Sequence, residues 1–230
     1  KGGNLMKRLE NKVAIVTGAA RGIGRAVMQR YAAEGATVYA ADVIKDELEH
    51  EVTLLKSQGL RVYAVPTNLA NPDEVQTLAE RALSEGRVDV LANVAGLIEE
   101  KMLEDTTDEI WNRILNVNLR GPFLLCRAVA PVMKQARSGS IINVSSRAGI
   151  LAFATDTAYC ASKFGLEGLR RALSKELGDY NIAVNTLTPG APTHTAMSEI
   201  TYSQEMRKIW KEPIEITSAF VHLALQTPQG

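Results

Sequence analysis

The sequence predicts an α/β fold in which helices cover both faces of one parallel sheet, a doubly wound arrangement. Short runs rich in Val, Ile and Ala alternate with longer amphipathic segments along the chain, and this alternation is typical of βαβ units. The apolar runs are nearly continuous, as expected for strands that are buried on both faces. The chain of 230 residues, 46% hydrophobic and 23% charged, is long enough for one domain with a full core.

The elements follow from these runs in chain order. Strands are predicted over residues 12–17, 36–41, 60–65, 88–94, 140–145 and 182–187. Helices are predicted over residues 23–34, 45–58, 71–85, 107–135, 156–177 and 213–225; Asn71 can cap the third, and Pro72 suits its first turn. Residues 191–211 lack a clear periodicity and are predicted to form a substrate loop. We expect one domain over residues 7–230, and we interpret residues 1–6 as a cloning remnant.

The composition argues against nucleic-acid binding, membrane insertion and metal binding. Lysine plus arginine number 26, and aspartate plus glutamate also number 26, so the basic excess typical of nucleic-acid binders is missing. The sequence contains no run of 18 apolar residues, so no membrane-spanning helix is expected. The two cysteines, Cys126 and Cys160, match no metal-binding spacing and predict a reducing, cytoplasmic compartment.

A glycine-rich segment, TGAARGIG, lies between the first predicted strand and the first predicted helix. Gly18 allows a sharp turn, Gly22 lets backbone N–H groups approach a pyrophosphate, and Gly24 allows the helix to pack closely on the strand. The free N–H groups at the positive end of the helix then face the anion. The segment therefore predicts a dinucleotide site, with an ordinary turn as the alternative.

Asp42 ends the second predicted strand, about 20 residues after the glycines, where an acidic residue meets the adenosine ribose. Its carboxylate can accept hydrogen bonds from both ribose hydroxyls, and it would repel a 2′-phosphate. Val43 follows and supplies no cation, so the sequence favours NAD(H) over NADP(H). Arg21 points the other way, because a basic side chain in the loop could meet a 2′-phosphate. Alternatively, Asp42 is an ordinary residue at the end of a strand.

Tyr159 and Lys163 lie four residues apart on a predicted helix, a spacing that puts both side chains on one face. A nearby ammonium favours the phenolate, so the tyrosine could exchange a proton with an alcohol or ketone. The alternative is a solvated helix face. Ser146 closes the fifth predicted strand at the sheet edge where ligands bind, and it could orient a carbonyl oxygen. Ser145 is expected to satisfy local backbone groups instead.

Asn118 lies within a predicted helix, four residues before Pro122. Because proline has no N–H, the carbonyl of Asn118 needs another partner, which a water molecule could provide. That water could link the site to solvent. The alternative is a kinked packing helix.

Further residues follow the strands at the same sheet edge. Asn93 begins NVAG after the fourth strand, and Gly96 would let the cofactor ribose come close. Asn68 could contact the adenine edge. Asn185 near the end of the sixth strand, with the Pro189-Gly190 pair after it, could form a wall beside the nicotinamide. Each of these could also be a simple turn residue.

Together these motifs resemble the short-chain dehydrogenase/reductase family in its single-domain branch. TGAARGIG, NVAG, the Asn118 segment, INVSS, YCASK and TPG occur in the order and spacing of the family, over about residues 13–225. The resemblance implies a Rossmann fold with strand order 3-2-1-4-5-6 and a seventh strand. It also implies Ser146, Tyr159 and Lys163 as a catalytic triad and Asn118 as a fourth member that holds water. It implies that Lys163 binds the nicotinamide ribose and that a homodimer or homotetramer packs through the two long helices.

The sequence departs from the family pattern at four places. Ala92 stands where an asparagine is usual, and Asn68 replaces an aspartate. The segment after Gly190 is one residue longer, so Thr193 and Thr195 both remain candidates for the carboxamide contact. The usual seventh strand is missing from this chain. The predicted cofactor contacts are Gly18, Arg21, Gly22, Ile23, Gly24, Asp42, Asn68, Leu69, Asn93, Ala95, Gly96, Tyr159, Lys163, Pro189, Gly190, Thr193 and Thr195.

The segment after Ser146 contains Ile150, Leu151 and Phe153, and the substrate loop adds four more residues: Thr193, His194, Met197 and Ile200. We therefore expect a neutral, moderately apolar secondary alcohol or ketone as substrate, unless the apolar residues belong to the core or to an interface. The main hypothesis is an NAD-dependent alcohol dehydrogenase. The alternatives are a 3-oxoacyl-[acyl-carrier-protein] reductase that uses NADPH and a cofactor-binding sensor or scaffold without turnover.

Overall fold

A parallel sheet forms the centre of the protein. The structure, a computed structural model, describes residues 7–189, 193–201 and 203–228. In this part of the chain the sheet has six strands in the order β3-β2-β1-β4-β5-β6, and every neighbouring pair is parallel. The strands are β1 Val13–Thr17, β2 Thr37–Asp42, β3 Val62–Pro66, β4 Val90–Asn93, β5 Gly139–Val144 and β6 Ile182–Leu187. The predicted fold class and strand order are confirmed.

Helices connect the strands and cover both faces of the sheet. The helices are α1 Gly22–Ala33, α2 Lys45–Ser57, α3 Pro72–Leu83, α4 Asp108–Leu115, α5 Gly121–Ala136, α6 Thr157–Leu177, α7 Ala196–Thr201, α8 Gln204–Arg207 and α9 Thr217–Ala224. Asn71 caps α3, as predicted, because its side chain accepts a hydrogen bond from Asp73 N–H.

Two apolar layers form the core, one on each side of the sheet. Alternate residues of β1 enter different layers, as expected when side chains point to opposite faces. One layer packs against α1, α2 and α9 and contains Tyr31 and Phe220; the other packs against α3, α5 and α6 and contains Leu78 and Leu125. Burial on both faces explains why the strand sequences are almost entirely apolar.

The helix predicted over residues 107–135 is observed over residues 108–136, with a wider turn in its middle. Residues Asn116–Arg120 form a π turn between α4 and α5, in which Gly121 N–H bonds to Asn116 O, five residues earlier. Pro122 explains the change, since it has no N–H to bond to the carbonyl of Asn118. The π turn places Asn118, which is buried, at the C-terminal edge of the sheet.

The segment predicted as a substrate loop, residues 191–211, contains regular structure that its lack of periodicity did not indicate. Two short helices, α7 and α8, lie within it, and side chains of Thr195 and Ser203 accept hydrogen bonds at their starts. The last predicted helix begins as a 3₁₀ turn, Pro213–Ile216, before α9. Residues 1–6 and Gly190, which carry two of the predictions, lie outside the described residues.

Candidate active site

The glycine-rich loop has the backbone shape that the sequence predicts. Gly18 and Gly22 have φ angles of +69° and +53°, a region that favours glycine. A Cβ on Gly24 would lie 2.0 Å from the carbonyl oxygen of Gly18, so the predicted close packing of helix on loop is confirmed. At the start of α1, among the described residues, no side chain caps the N–H groups, and the first turn holds no acid. This helix end fits a bound phosphate.

The glycine-rich loop packs against the segment that follows β4. A Cβ on Gly18 would lie 2.9 Å from Cα of Ala95. The hydroxyl of Thr17 accepts hydrogen bonds from the N–H groups of Val94 and Ala95, at 3.0 and 3.1 Å. Two of the predicted cofactor segments are therefore held together at the C-terminal edge of the sheet.

Thr195 lies against the same loop from the other side. Its Cγ2 would be 3.0 Å from a Cβ on Gly22. Its hydroxyl accepts a hydrogen bond from Ser198 N–H at 3.1 Å and so caps α7. Thr193 is buried and pairs with Lys211 as an isolated bridge. Of the two candidate threonines, Thr195 is the one in contact with the glycine-rich loop.

Asp42 fastens the end of β2 to the glycine-rich loop. Its Oδ2 accepts a hydrogen bond from Ala20 N–H, and its Oδ1 accepts one from Ile44 N–H, both at 3.0 Å. Arg21 forms an ion pair with Glu47 on α2. The hydrogen bond within this pair raises the pKa of the Arg21 guanidinium. The cation in the loop is thus already paired with a carboxylate.

Two predicted cofactor residues have side chains engaged elsewhere. The Oδ1 of Asn68 accepts a hydrogen bond from Ala70 N–H at 3.0 Å, which makes a local turn. Asn93 is buried and donates from Nδ2 to Oδ1 of Asn143 at 2.9 Å, across paired strands. The Oδ1 of Asn93 is buried without a hydrogen-bond partner among the described residues. Leu69, also predicted, is buried against Gly121.

The ends of β5 and β6 give two corrections. Ser145 was expected to satisfy local backbone groups, but its hydroxyl oxygen is buried without a hydrogen-bond partner among the described residues. Its backbone N–H donates a hydrogen bond to Leu187 O at 2.9 Å and so continues the pairing of β5 with β6. Asn185, predicted beside the nicotinamide, donates from Nδ2 to Oε1 of Gln226 at 3.2 Å, which ties it to the C-terminal segment.

Tyr159 and Lys163 lie together and are buried, with 9% and 3% of their surfaces exposed. The interpretation as a solvated helix face is therefore wrong. Lys163 Nζ lies 5.5 Å from the centroid of the Tyr159 ring and donates a hydrogen bond to Val144 O at 2.9 Å. Burial lowers the pKa of Lys163 to about 8, because an ammonium loses solvation in the interior.

Gly96 and Asn118 complete this cluster. A Cβ on Gly96 would lie 3.4 Å from Oδ1 of Asn118 and 3.5 Å from Nζ of Lys163. Asn118 holds the chain after NVAG: its Oδ1 accepts from Leu97 N–H at 2.9 Å, and its Nδ2 donates to Leu97 O at 2.8 Å. The same Nδ2 donates to Ser162 Oγ at 3.1 Å, beside Lys163. The π turn, NVAG and α6 thus meet at one place.

Ser146 begins a short 3₁₀ turn, Arg147–Gly149, that packs against α6. Its Oγ accepts a hydrogen bond from Ala148 N–H at 3.1 Å. A Cβ on Gly149 would lie 3.1 Å from Lys163 O, so the turn touches the backbone of that residue. The hydroxyl of Ser146 and the ammonium of Lys163 therefore belong to adjoining segments.

Apolar side chains follow this turn at the surface. Ile150 is 65% exposed and Phe153 is 41% exposed, and Leu151 is exposed as well. The hypothesis that they belong to the core is wrong. Arg147 lies over the Phe153 ring at 5.7 Å, which holds that ring beside the turn.

Two titratable groups near the site have surroundings that were not predicted. Asp156 precedes α6; its Oδ1 is buried without a hydrogen-bond partner among the described residues, and burial, then Glu100, raises its pKa. His194 contacts two carboxylates on the segment after β6. An acid three residues before Tyr159 was a visible signal for the first, whereas the partners of His194 come from distant positions.

Comparison with known proteins decides the family. The model of a family described as "short chain dehydrogenase" matches residues 12–206. The chain belongs to the short-chain dehydrogenase/reductase family. As a short-chain dehydrogenase, it is an NAD(P)-dependent oxidoreductase that acts on CH–OH groups.

This short-chain dehydrogenase is similar to several named proteins. It is 40% identical over 184 residues to the 3-oxoacyl-[acyl-carrier-protein] reductase FabG of Thermotoga maritima, covering 80% of this chain and 75% of that protein. It is 38% identical over 183 residues to the D-threitol dehydrogenase of Mycolicibacterium smegmatis, covering 79% and 70%. The crystal structure of a metagenomic short-chain oxidoreductase in complex with NADP superposes with a TM-score of 0.84 at 32% identity, covering 97% and 94%.

Two further features of this short-chain dehydrogenase bear on membrane and metal binding. In the part of the chain that the structure describes, no helix combines the length and the apolar character needed to cross a membrane. Over the same residues, no group of three or more His, Cys, Asp or Glu side chains is placed to hold a metal ion.

Proposed function

We propose that this protein transfers hydride between NAD(H) and a secondary alcohol or ketone at the cluster of Ser146, Tyr159 and Lys163. The observation that carries the proposal is the buried pair of Tyr159 and Lys163, with the backbone of Gly96 next to the ammonium. When bound, the nicotinamide supplies or accepts the hydride. The chain's own residues then have to bind the nucleotide, orient the substrate oxygen and move one proton.

Tyr159 is the group that exchanges the proton. A free phenol titrates near pKa ~10 and is a weak base at neutral pH, but a nearby ammonium favours its ionised form. Lys163 supplies that charge, held in place by its hydrogen bond to Val144 O. In oxidation Tyr159 takes the proton of the alcohol, and in reduction it returns the proton to the ketone oxygen. Ser146 donates a hydrogen bond to that oxygen and orients it.

Asn118 and Lys163 have further roles in the proposal. The ammonium of Lys163 lies next to Gly96, which has no side chain of its own to block a ribose hydroxyl, and next to Asn118 Oδ1. The backbone carbonyl of Asn118 holds a water molecule that returns protons to the site from solvent, since Pro122 offers it no N–H. The side chain of Asn118 keeps this segment against Leu97.

The nucleotide binds at the glycine-rich loop, with its pyrophosphate at the start of α1. The uncapped N–H groups there and the close packing around Gly18 and Gly24 support this position. Asp42 supports NAD(H), since a carboxylate at this place accepts from the ribose hydroxyls and repels a 2′-phosphate. Arg21 is paired with Glu47, and the side chain of Val43 is 68% exposed and uncharged.

The rim of the site supports a substrate with an apolar body. Large apolar side chains are exposed on the segment after β4, at Met102 and Leu103, and on the segment after β5, at Ile150, Leu151 and Phe153. The backbones of Lys101 and Asp156 form an isolated β-bridge that joins these two segments. The exposed apolar side chains of the two segments therefore lie near each other. A neutral, moderately apolar ketone or secondary alcohol fits such a rim.

A second candidate is a 3-oxoacyl-[acyl-carrier-protein] reductase that uses NADPH. The identity of 40% to a FabG protein and the NADP in a similar solved structure favour it. A thioester substrate would place its acyl chain on the same apolar rim. Asp42 argues against this candidate, because its carboxylate would repel the 2′-phosphate that distinguishes NADPH from NADH.

We also propose that the protein works in a reducing compartment, and that two or more copies of the chain associate through α5 and α6. Each helix exposes a phenylalanine, Phe123 on α5 and Phe164 on α6. The groove beside Phe123 is lined by further apolar residues, Leu115, Leu119 and Leu169. A second copy of the same surface would cover these side chains, as in an isologous interface.

The proposed function is tested by measuring reduction of a ketone panel with NADH and with NADPH in parallel. The panel contains cyclic and open-chain ketones, a keto-sugar and a 3-oxoacyl thioester. We expect the highest kcat/KM with NADH and an apolar ketone. Preference for NADPH with the thioester would support the second candidate instead. Tight nucleotide binding without turnover on any member would support a sensor and overturn the proposed enzyme.

A further inference from the structure

His194 lies at the centre of a compact cluster in the segment after β6. Its Nε2 is 2.8 Å from Oε1 of Glu199, and its Nδ1 is 3.0 Å from Oε1 of Glu212. Its ring stacks on the indole of Trp210, with 4.1 Å between centroids and an angle of 16°. A neutral imidazole has one N–H, whereas the imidazolium has two. Only the protonated ring can donate a hydrogen bond to both carboxylates.

The cluster joins parts of the chain that are otherwise separate. Glu199 belongs to α7, and Glu212 precedes the turn Pro213–Ile216, which it caps. The backbone N–H of His194 also bonds to Lys211 O at 2.8 Å. His194 therefore ties α7 and the strand-like stretch at Thr193 to the chain that leads into α9.

The next residue, Thr195, makes the contact that matters for the nucleotide. Its Cγ2 would be 3.0 Å from a Cβ on Gly22, in the glycine-rich loop. Thr195 also starts α7, so its place depends on the helix that Glu199 anchors to His194. A shift of His194 would move Thr195 relative to the proposed pyrophosphate site.

We propose that His194 is a positioning residue for the nicotinamide cofactor: its protonated ring holds Thr195 against the glycine-rich loop, and cofactor affinity falls when the ring loses its proton. The inference rests on the proposed function, since it takes the glycine-rich loop as the nucleotide site. It assigns to this chain a cofactor affinity that changes with pH through a residue outside the Ser146, Tyr159 and Lys163 cluster.

The charges around the ring favour its protonated form. The hydrogen bonds to Glu199 and then Glu212 raise the pKa of His194 above its usual value of 6.5. Three other charged residues lie close to these two carboxylates. Arg207 of α8 donates a hydrogen bond to Glu199 O, and Glu215 accepts one from Glu212 N–H at 2.7 Å. Lys211 precedes Glu212, and its backbone carbonyl accepts a hydrogen bond from His194 N–H.

The sign of the pH effect follows from the raised pKa. Because folding favours the protonated ring, its contribution is complete below about pH 6.5 and is lost as the pH rises through the raised pKa. The contacts are exposed to solvent, so we expect a modest change in the cofactor Kd, up to about fivefold.

A first measurement tests the cluster without any cofactor. Replacement of Trp111 by Phe leaves Trp210 as the single tryptophan, and its fluorescence is followed from about pH 5.5 to about pH 9. We expect a titration with a midpoint above 6.5, because a protonated imidazole stacked on an indole quenches its emission. The titration should vanish when His194→Gln is added. A Trp210 signal that is the same in both proteins would overturn the cluster.

A second measurement tests the effect on the nucleotide, by titrating NADH into the full chain over about pH 6 to about pH 9. At about pH 6 the Kd of His194→Gln should exceed the wild-type Kd by up to about fivefold, and at about pH 9 the two should agree while His194→Arg keeps a lower Kd than either. The proteins are compared at the same pH, so that any change in the charge of Lys163, which they all share, cancels. Glu205→Gln is the control, since Glu205 pairs with Lys208 in the same segment. Circular dichroism checks that each variant is folded.

The outcomes separate the two proposals. A ratio of the His194→Gln Kd to the wild-type Kd that does not change with pH, or a Kd unaffected by His194→Gln, would overturn the positioning role and leave the proposed function intact. Failure of His194→Arg to keep the low Kd at high pH would show that charge is not what matters, and would also overturn the inference. If neither NADH nor NADPH binds at any pH, the proposed function falls together with it.

Discussion

The backbone of Gly96 lies directly beside the ammonium of Lys163: a Cβ on Gly96 would be 3.5 Å from Lys163 Nζ and 3.4 Å from Asn118 Oδ1. These are ordinary van der Waals distances, so a methyl group would fit without moving either side chain. It would occupy the place through which, in the proposed site, a ribose hydroxyl reaches the ammonium. Gly96 thus leaves the approach to this buried cation free of a side chain of its own.

Gly96→Ala should weaken nucleotide binding without destabilising the protein. We expect the Kd for NADH to rise about tenfold, equivalent to about 1.4 kcal/mol, with an unchanged thermal midpoint. The matched control is Gly168→Ala on α6, where a Cβ meets no other atom within 4 Å. Equal Kd values for the two variants and the wild type would contradict the proposed place of the ribose.

Tyr159→Phe should remove most turnover and keep nucleotide binding. The ring and its packing are retained, and only the group that exchanges the proton is lost, so kcat should fall by about 10²- to 10⁴-fold. The control is Tyr180→Phe, because Tyr180 is exposed and lies over Lys134 instead. Steady-state rates and NADH titrations check both variants. A Tyr159→Phe enzyme with wild-type kcat would show that another group handles the proton.

Phe123→Glu should dissociate the proposed assembly. Phe123 is exposed on α5, and a carboxylate placed at the centre of an apolar interface would be buried without a partner. Light scattering after size exclusion should show a multiple of the 25.0 kDa chain for the wild type and a smaller species for the variant. Lys175→Glu, elsewhere on α6, serves as a charge control. A monomeric wild type would contradict the proposal.

The fold could be predicted because its signals are local. The apolar runs mark the strands, and the order β3-β2-β1-β4-β5-β6 is the one that the resemblance to the family implied. The course of a helix is harder to predict where a single residue changes its hydrogen-bonding pattern. Pro122 illustrates this, because the sequence shows the missing N–H but not that the chain responds with a π turn at Asn116–Arg120.

The parts of the site that could not be predicted depend on contacts between distant positions. Adjacent hydroxyls at Ser145 and Ser146 look alike in the sequence, yet Ser146 accepts a hydrogen bond from Ala148 while Ser145 is buried without a partner among the described residues. Asn93 faces Asn143 only because β4 and β5 are neighbours in this register. The cluster around His194 required the chain after β6 to fold back on itself.

Asp42→Asn should reduce the discrimination against NADPH. The amide removes the charge that repels a 2′-phosphate but keeps an oxygen that can accept from one of the two N–H groups, Ala20 and Ile44. We expect the ratio of kcat/KM for NADH to that for NADPH to fall about tenfold. Asp46→Asn on α2 is the charge control. Since one of these two hydrogen bonds is lost, the free energy of unfolding should also drop by about 1 kcal/mol.

Lys163→Met should stabilise the fold while it removes activity, and the gain should depend on pH. Burial lowers the pKa of Lys163 to about 8 from 10.5, so the wild type carries the full cost of a buried ammonium below about pH 8. That cost disappears as the pH rises towards 10.5, since the unfolded chain then binds more protons than the folded one. The difference in unfolding free energy between Lys163→Met and the wild type should therefore shrink between about pH 7 and about pH 10, by about 1.4 kcal/mol for each pKa unit.

Denaturant unfolding of both proteins at the two pH values measures this difference. A difference that stays constant would mean that the ammonium is solvated, and Tyr159 would then lack the charge that the proposed mechanism requires.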